Sequence, residues 1–240
     1  LVLFRAGLDS VEIGIGDNLL AAPWIRTLVR INKSFIVQRG LPVREMPKAF
    51  LELSGYIRHA ITKKQTGVWI AQREGRAKDS NDRTQESILK MFALSGTKSF
   101  IENLKELNIC PATISYEYDP CDYLKAKEFQ QKRDDSSYKK TPQDDLLNMK
   151  TGIMGYKGHV HYAFTPSINP ELEQIEVSTD NRKEQIEAVV KLIDQRIHSN
   201  YTIYPIDKTA LESLKKEKIN SYNIIVFLGT WCGDSKRNFP

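Results

Sequence analysis

Apolar side chains recur at two different spacings along the chain, and the spacing predicts which segments are helices and which are strands. Apolar residues at three- and four-residue intervals, from Phe50 to Ile61, predict an amphipathic helix over residues 46–64. Short apolar runs bounded by turn residues predict strands at 35–37 and 68–71. Strands alternate with helices over most of the chain. This order predicts an α/β protein with a mostly parallel sheet flanked by helices.

The remaining elements follow from the same patterns. Further strands are predicted at 11–15, 109–116, 160–164 and 223–228, and further helices from Pro23 and around 88–92, 100–107, 186–197 and 210–214. Within 160–164, strict alternation predicts that Val160, Tyr162 and Phe164 face the interior. Asn181, with Glu184 three residues later, is the expected N-cap of the helix that follows it.

The composition is that of an ordinary globular protein with room for one sizeable core and a second, small one. The chain has 240 residues, of which 40% are hydrophobic and 27% charged. Its apolar runs are far shorter than the roughly 20 residues that a spanning helix needs. Three cysteines are too few for a disulfide scaffold and indicate a reducing compartment. The chain begins with Leu1 in the middle of an apolar pattern and shows no signal peptide, so we expect a fragment at both ends.

Positive charge is concentrated in one region. Between Arg26 and Arg76 there are 11 Lys and Arg against 3 Asp and Glu, whereas the remainder of the chain holds 24 against 27. A basic region favours an anionic partner such as a phosphate group, an anionic lipid surface or nucleic acid. The alternative is a solvated helix face. Trp24 and Trp69 within or beside this region are expected in the core or facing a membrane.

The main candidate for chemistry is a short loop after the predicted strand 68–71. It places Arg73, Glu74 and Arg76 around Gly75. Ligands of α/β sheets bind at the carboxyl ends of strands, and glycine lets the backbone approach them closely. Two guanidinium groups can hold a phosphate by charge-assisted hydrogen bonds, so the loop is a candidate anion site. The alternative is a surface turn with a local ion pair.

With its neighbouring blocks, this loop resembles the phospholipid/glycerol acyltransferases, the family of the lysophosphatidic acid acyltransferases. Residues 69–79 and 81–85 are similar to a bacterial branch of that family, and Glu74-Gly75 matches the core of its Phe-Pro-Glu-Gly-Thr-Arg-Ser block. Upstream, residues 35–40 end in Arg39-Gly40, similar to an Arg-Gly pair that follows a strand in the family. Downstream, residues 109–114 are similar to an apolar-Pro turn that leads into a strand. The three blocks occur in the family's order.

The sequence departs from the family pattern at two places. Arg73 stands where the family has Pro, and Arg76 follows Gly75 without an intervening Thr. The family's catalytic His, with an Asp five positions later, is absent, because the four histidines are followed at that distance by Lys64, Phe164, Pro166 and Ile203. The family order puts this pair upstream of Leu1. We therefore expect the chain to keep an acceptor site but to be inactive, with its catalytic residues unknown.

The resemblance implies an acyltransferase of phospholipid synthesis. The acyl donor would be an acyl-CoA or acyl carrier protein thioester, and the acceptor a glycerol phosphate or lysophospholipid, with no further cofactor. The acceptor phosphate would be held by Arg39, Gly40, Arg73, Glu74, Gly75 and Arg76. The protein would be cytoplasmic and peripherally associated with the anionic inner membrane surface, without a nucleic-acid partner. The implied acyltransferase-like domain covers residues 1–200.

A second resemblance covers the C-terminal segment 201–240. A strand followed by Trp231-Cys232 and a helix start is similar to the redox motif of thioredoxin-like proteins, and implies an incomplete thioredoxin-like βα unit. The second cysteine of that motif is Ser235 here, so the alternative function is a monothiol redox protein acting through Cys232. A non-catalytic phosphate or lipid binder is a third possibility. His159 and His161 share a strand face, but the spacing of neighbouring ligands predicts no metal site.

Overall fold

The computed structural model describes residues 2–17, 20, 23–38, 41–72 and 82–216. In chain order its elements are α1 (Val2–Arg5), β1 (Glu12–Gly16), α2 (Pro23–Ile31), β2 (Ser34–Val37), α3 (Met46–Thr62), β3 (Val68–Trp69), α4 (Glu86–Leu94), α5 (Phe100–Lys105), β4 (Ala112–Tyr116), α6 (Asp122–Asp134), α7 (Pro142–Met154), β5 (Val160–Phe164), α8 (Asn169–Ser178), α9 (Arg182–Ser199) and α10 (Pro205–Lys216). This alternation confirms the α/β class.

The elements group into two units, which we describe separately. The first contains Leu1–Gln72, Thr84–Ile109 and Ser167–Lys191, and the second contains Arg73–Arg83, Cys110–Pro166 and Leu192–Pro240. Helix α9 therefore begins in the first unit and ends in the second. The predicted boundary between a domain 1–200 and a segment 201–240 stays a prediction, because residues 217–240 lie outside the described part of the chain.

The first unit is built on a parallel sheet of three strands in the order β2-β1-β3. Gly14 in the central strand pairs with Phe35, and a Cβ atom on Gly14 would lie 3.1 Å from the Phe35 ring. That ring also contacts Tyr56 of α3, with 5.1 Å between the ring centroids. The absence of a side chain at position 14 thus lets Phe35 lie over the central strand beside α3.

Helices supply most of the core of the first unit. Its buried apolar side chains come from α2, α3, α4, α5, α8 and α9 and include Ile57, Leu89, Ile101, Leu104, Leu172 and Val189. The sequence predicted every one of these helices except α8, and the predicted N-cap is confirmed, since Asn181 Oδ1 accepts from the Lys183 amide at 2.9 Å. Glu184 does not return a bond to this cap. It accepts the hydroxyl of Thr179 at 2.6 Å.

The second unit contains an antiparallel pair, β4 with β5, and helices α6, α7 and α10. The expectation of a mostly parallel sheet thus holds for the first unit, while these two strands pair in the opposite sense. The predicted inward face of β5 is wrong, because Tyr162 and Phe164 are exposed. The predicted strand at 68–71 is also shorter than expected, since only Val68–Trp69 pairs with β1.

Candidate functional site

The carboxyl ends of the three parallel strands point toward one edge of the sheet in the first unit. Val37, the last residue of β2, pairs with Gly16, and Trp69, the last residue of β3, pairs with Ile13. Because β1 lies between them, β2 and β3 run about 10 Å apart, which is twice the spacing of neighbouring strands. This edge is where ligands of parallel α/β sheets bind.

The predicted phosphate-binding residues follow these two strand ends in the sequence. Arg39 comes two residues after Val37, and Arg73 comes four residues after Trp69. All six predicted residues, namely Arg39, Gly40, Arg73, Glu74, Gly75 and Arg76, lie outside the described residues. Their position relative to the sheet and their hold on a phosphate therefore stay predictions.

The chain just after the predicted loop is anchored within the second unit. The Tyr201 hydroxyl donates to the Asp82 carboxylate, and His198 Nε2 lies 3.2 Å from the backbone carbonyl oxygen of Asp82. The rings of His198 and Tyr201 stack with 5.9 Å between their centroids. Sequence analysis did not find this anchor, because Asp82 and Tyr201 are 119 residues apart and no local pattern joins them.

The carboxylate of Glu117 lies just after the end of β4, beside the start of β5. Glu117 Oε2 accepts from the backbone amide of His159 at 2.8 Å and lies 2.6 Å from its ring Nδ1. These two bonds, the amide first, lower the pKa of Glu117. Gly158 has a φ of +60°, and a Cβ there would lie 2.4 Å from Glu117 Oε2, so glycine permits this approach.

The start of α10 adds a titratable group to the second unit. Burial raises the pKa of Asp207 to about 6, although the backbone amide of Tyr204, which donates to Asp207 at 2.7 Å, acts in the opposite direction. The Tyr204 ring stacks on His159 with 6.5 Å between centroids. Asp207 is therefore a carboxyl whose charge changes close to neutral pH.

The other candidates from the sequence are placed as follows. The His159 ring is bonded to the Glu117 carboxylate. Within the described residues, no group of three His, Cys, Asp or Glu side chains is arranged to hold a metal ion. Cys232 lies outside the described residues, so the redox alternative stays a prediction. Burial raises the pKa of the Cys110 thiol, which favours its neutral form.

A surface groove in the second unit runs along α6. It is lined by Tyr123, Ala126, Lys127, Gln130, Gln131, Asp134, Asp135 and Tyr138. None of these is a predicted site residue, and the lining mixes tyrosine rings with amides and both signs of charge. Such a mixed, open groove does not select one class of ligand.

No family model, no curated protein and no solved structure matches this chain. In the part of the chain that the structure describes, no helix has both the length and the apolar character to cross a membrane.

Proposed function

We propose that this chain is the acceptor-binding part of an acyltransferase that moves a fatty acyl group to the hydroxyl of a glycerol phosphate or lysophospholipid. The proposal starts from the three sequence blocks that resemble the phospholipid/glycerol acyltransferases. The structural observation that best supports the proposal is the strand order β2-β1-β3, with all three strands parallel. The Arg39 segment and the Arg73–Arg76 segment follow two of these strands in the sequence.

The charges of these segments suit a phosphate. Arginine holds phosphate oxygens through planar, paired N–H groups, and two arginines entering from strands about 10 Å apart can reach one anion between them. Glu74 would orient one guanidinium or accept a hydrogen bond from the acceptor. Binding of the phosphate would then hold the acceptor hydroxyl in a fixed place, which is catalysis by positioning.

The reaction transfers an acyl group from the sulfur of a thioester to the oxygen of a hydroxyl group. The acceptor hydroxyl oxygen attacks the thioester carbonyl carbon, a general base takes the hydroxyl proton, and the carbon–sulfur bond breaks to release the thiol of coenzyme A or acyl carrier protein. In the resemblance the base is a histidine whose tautomer an aspartate fixes. In the resemblance, this pair comes before the block that is similar to residues 35–40. We propose that the protein associates peripherally with an anionic membrane.

The test is an acyl-transfer assay on the protein expressed from a gene that includes the coding sequence upstream of Leu1. Glycerol 3-phosphate and a lysophosphatidic acid serve as acceptors, with an acyl-CoA or an acyl carrier protein thioester as donor. We expect Glu74→Ala and Arg76→Ala to lower the rate and to weaken the apparent affinity for the acceptor. Lys191→Ala, at an exposed position of α9, is the control and should leave both unchanged.

Two results would contradict the proposal. If Glu74→Ala and Arg76→Ala transfer acyl groups as the unaltered protein does, these residues do not hold the acceptor and the assignment is wrong. If the protein binds the phosphate-bearing acceptor or lipid vesicles but never transfers an acyl group, it is a phosphate or lipid binder without this activity.

A further inference from the structure

Helix α2 buries one side against the first unit. Ile25 and Val29, four residues apart, are 3% and 7% exposed, and the helix packs beside β2. This spacing places both side chains on one face of the helix, which explains how nine residues are held on the sheet. A helix that had only this contact to make would be polar everywhere else.

Helix α2 carries a second apolar row that faces solvent. Trp24, Leu28 and Ile31 follow each other at intervals of four and three residues and therefore form one stripe along the helix. Their exposed fractions are 54%, 43% and 74%. Single exposed apolar residues are common on protein surfaces, but a contiguous stripe that includes a tryptophan marks an interaction surface.

The stretch of sequence that contains this stripe carries charge of a single sign. Between Pro23 and Arg44 the chain has five cationic residues and no Asp or Glu; the five are Arg26, Arg30, Lys33, Arg39 and Arg44. Arg26 and Arg30 lie on α2 itself, on the side of the helix away from the apolar row. An apolar row opposite a cationic one is the pattern of helices that lie in the plane of a membrane surface.

We propose that α2 docks this protein on an anionic lipid bilayer. Trp24, Leu28 and Ile31 enter the boundary between headgroups and acyl chains. Arg26 and Arg30, on the opposite side of the helix, attract the anionic surface through their positive charge. With nine residues, α2 is about 13 Å long, which suits a helix lying in the interface and is too short to cross it. This inference rests on the proposed function in one respect, since an acceptor that is itself a lipid is found at such a surface.

The bilayer satisfies both features of the helix at once. A nucleic acid would offer phosphates to the arginines but no hydrocarbon to the stripe, and a protein partner would have to supply an apolar groove beside a block of acidic residues. Tryptophan also prefers the boundary between water and lipid. The observations therefore favour an anionic lipid surface as the occupant.

The direction of α2 links this surface to the candidate site. The helix connects two parallel strands, β1 and β2, so it must run back from the carboxyl end of β1 to the amino end of β2. Its first turn, which contains Trp24, is therefore near the carboxyl edge of the sheet. Docking of α2 in the plane of the interface would hold the sheet alongside the bilayer, with this edge next to the first turn.

The experiment is vesicle co-sedimentation of the 240-residue chain, with phosphatidylcholine alone and with phosphatidylcholine plus phosphatidylglycerol. We expect binding only to the anionic vesicles. Each arginine at a membrane surface contributes about a fivefold change in partitioning, so Arg26→Gln with Arg30→Gln should weaken binding about 25-fold. Trp24→Ser with Ile31→Ser should abolish it.

Matched controls separate the effect of the docking surface from general effects of charge and hydrophobicity on vesicle binding. Lys183→Gln with Lys191→Gln removes the same charge from α9, and Val177→Ser removes an apolar side chain that is exposed on α8. Both should bind vesicles as the unaltered chain does. Circular dichroism establishes that each variant is folded. Depth-dependent quenching of tryptophan fluorescence, with Trp24→Phe as the reference, should place the Trp24 ring at the boundary between headgroups and acyl chains.

The inference is overturned if anionic vesicles are not bound, or if folded α2 variants and the control variants bind them equally. Preferential binding of nucleic acid over vesicles, lost in the same α2 variants, would also overturn it. Binding of soluble glycerol 3-phosphate, measured without vesicles, distinguishes this failure from that of the proposed function. Acceptor binding without vesicle binding removes the docking surface and the proposed membrane association but keeps the acceptor site. Vesicle binding without acceptor binding removes the acyltransferase assignment alone.

Discussion

Replacing Arg58 by methionine should destabilise the first unit substantially. The Arg58 side chain, on α3, is only 14% exposed and forms an ion pair with Glu106. Its guanidinium also donates to the carbonyl oxygens of Phe92 at 3.4 Å and Asn103 at 3.2 Å, and to Ser95 Oγ at 3.2 Å. Phe92 and Asn103 lie in the last turns of α4 and α5, where carbonyl groups lack a partner within the helix.

The magnitude follows from what the variant would leave behind. Breaking a buried ion pair costs about 3–5 kcal/mol when the other charge is left without compensation. Glu106 keeps a second partner, since Lys98 Nζ lies 2.9 Å from it, and it remains partly accessible to water. We therefore expect Arg58→Met to lower the free energy of unfolding by about 3 kcal/mol, at the low end of that range.

The assay is denaturant unfolding of the variant and of two controls. Lys90→Met breaks the exposed pair of Lys90 with Glu86 within α4 and should cost much less. Glu106→Gln, alone and combined with Arg58→Met, completes a double-mutant cycle in which the two changes should not be additive. The reasoning is refuted if Arg58→Met is no more destabilising than Lys90→Met, or if the cycle shows no coupling.

Three further outcomes follow from the described residues. Gly14→Val should destabilise the sheet, because its Cβ would press on the Phe35 ring, and a lowered midpoint of thermal unfolding would show it. Lys64 first, then the Tyr56 hydroxyl, lowers the pKa of Glu12, so this carboxylate stabilises the fold above its unfolded pKa of about 4. Stability should fall as the pH drops below that value, and less so in Glu12→Gln. The contribution of Asp207 to stability depends on pH in the opposite direction. Its folded pKa of about 6 exceeds the unfolded value, so its contribution is lost as the pH rises through 6, and Asp207→Asn should remove this dependence in unfolding titrations.

Local sequence patterns were sufficient to predict the position of an element that buries one complete face. The apolar stripe of α3 predicted its position to within two residues at either end, because Ile57 and its neighbours at helical spacing pack inward. The strands β1 and β2 were predicted from short apolar runs bounded by turn residues. Their parallel pairing followed from the helix between them.

The same patterns failed where tertiary contacts decide the structure. Helix α8 has a single buried side chain, Leu172, and the Asn169 amide donates to the Lys105 carbonyl oxygen at 3.1 Å. A lone apolar contact and a bond from a distant segment leave no periodic signal. On β5, alternation predicted an inward row, but the described pairing of this strand is with β4 alone, and Tyr162 and Phe164 remain exposed.

The candidate site could be predicted by type but not by geometry. An arginine-rich loop around Gly75, placed after a strand, indicates an anion site from residue types and order alone. The contacts that position the chain around it are long-range, as the bond between Tyr201 and Asp82 shows. Such contacts depend on how the whole chain folds, so the sequence pattern could not supply them.

The central claim is that residues at one edge of the parallel sheet hold the phosphate of an acyl acceptor. Isothermal titration of the chain with glycerol 3-phosphate, and with glycerol as the ligand that lacks the phosphate, tests it most directly. We predict saturable binding of glycerol 3-phosphate only, weakened about tenfold or more by Arg39→Ala and by Arg76→Ala, since each removes a charge-assisted hydrogen bond. Equal binding of the two ligands, or binding that survives both substitutions unchanged, would contradict the claim.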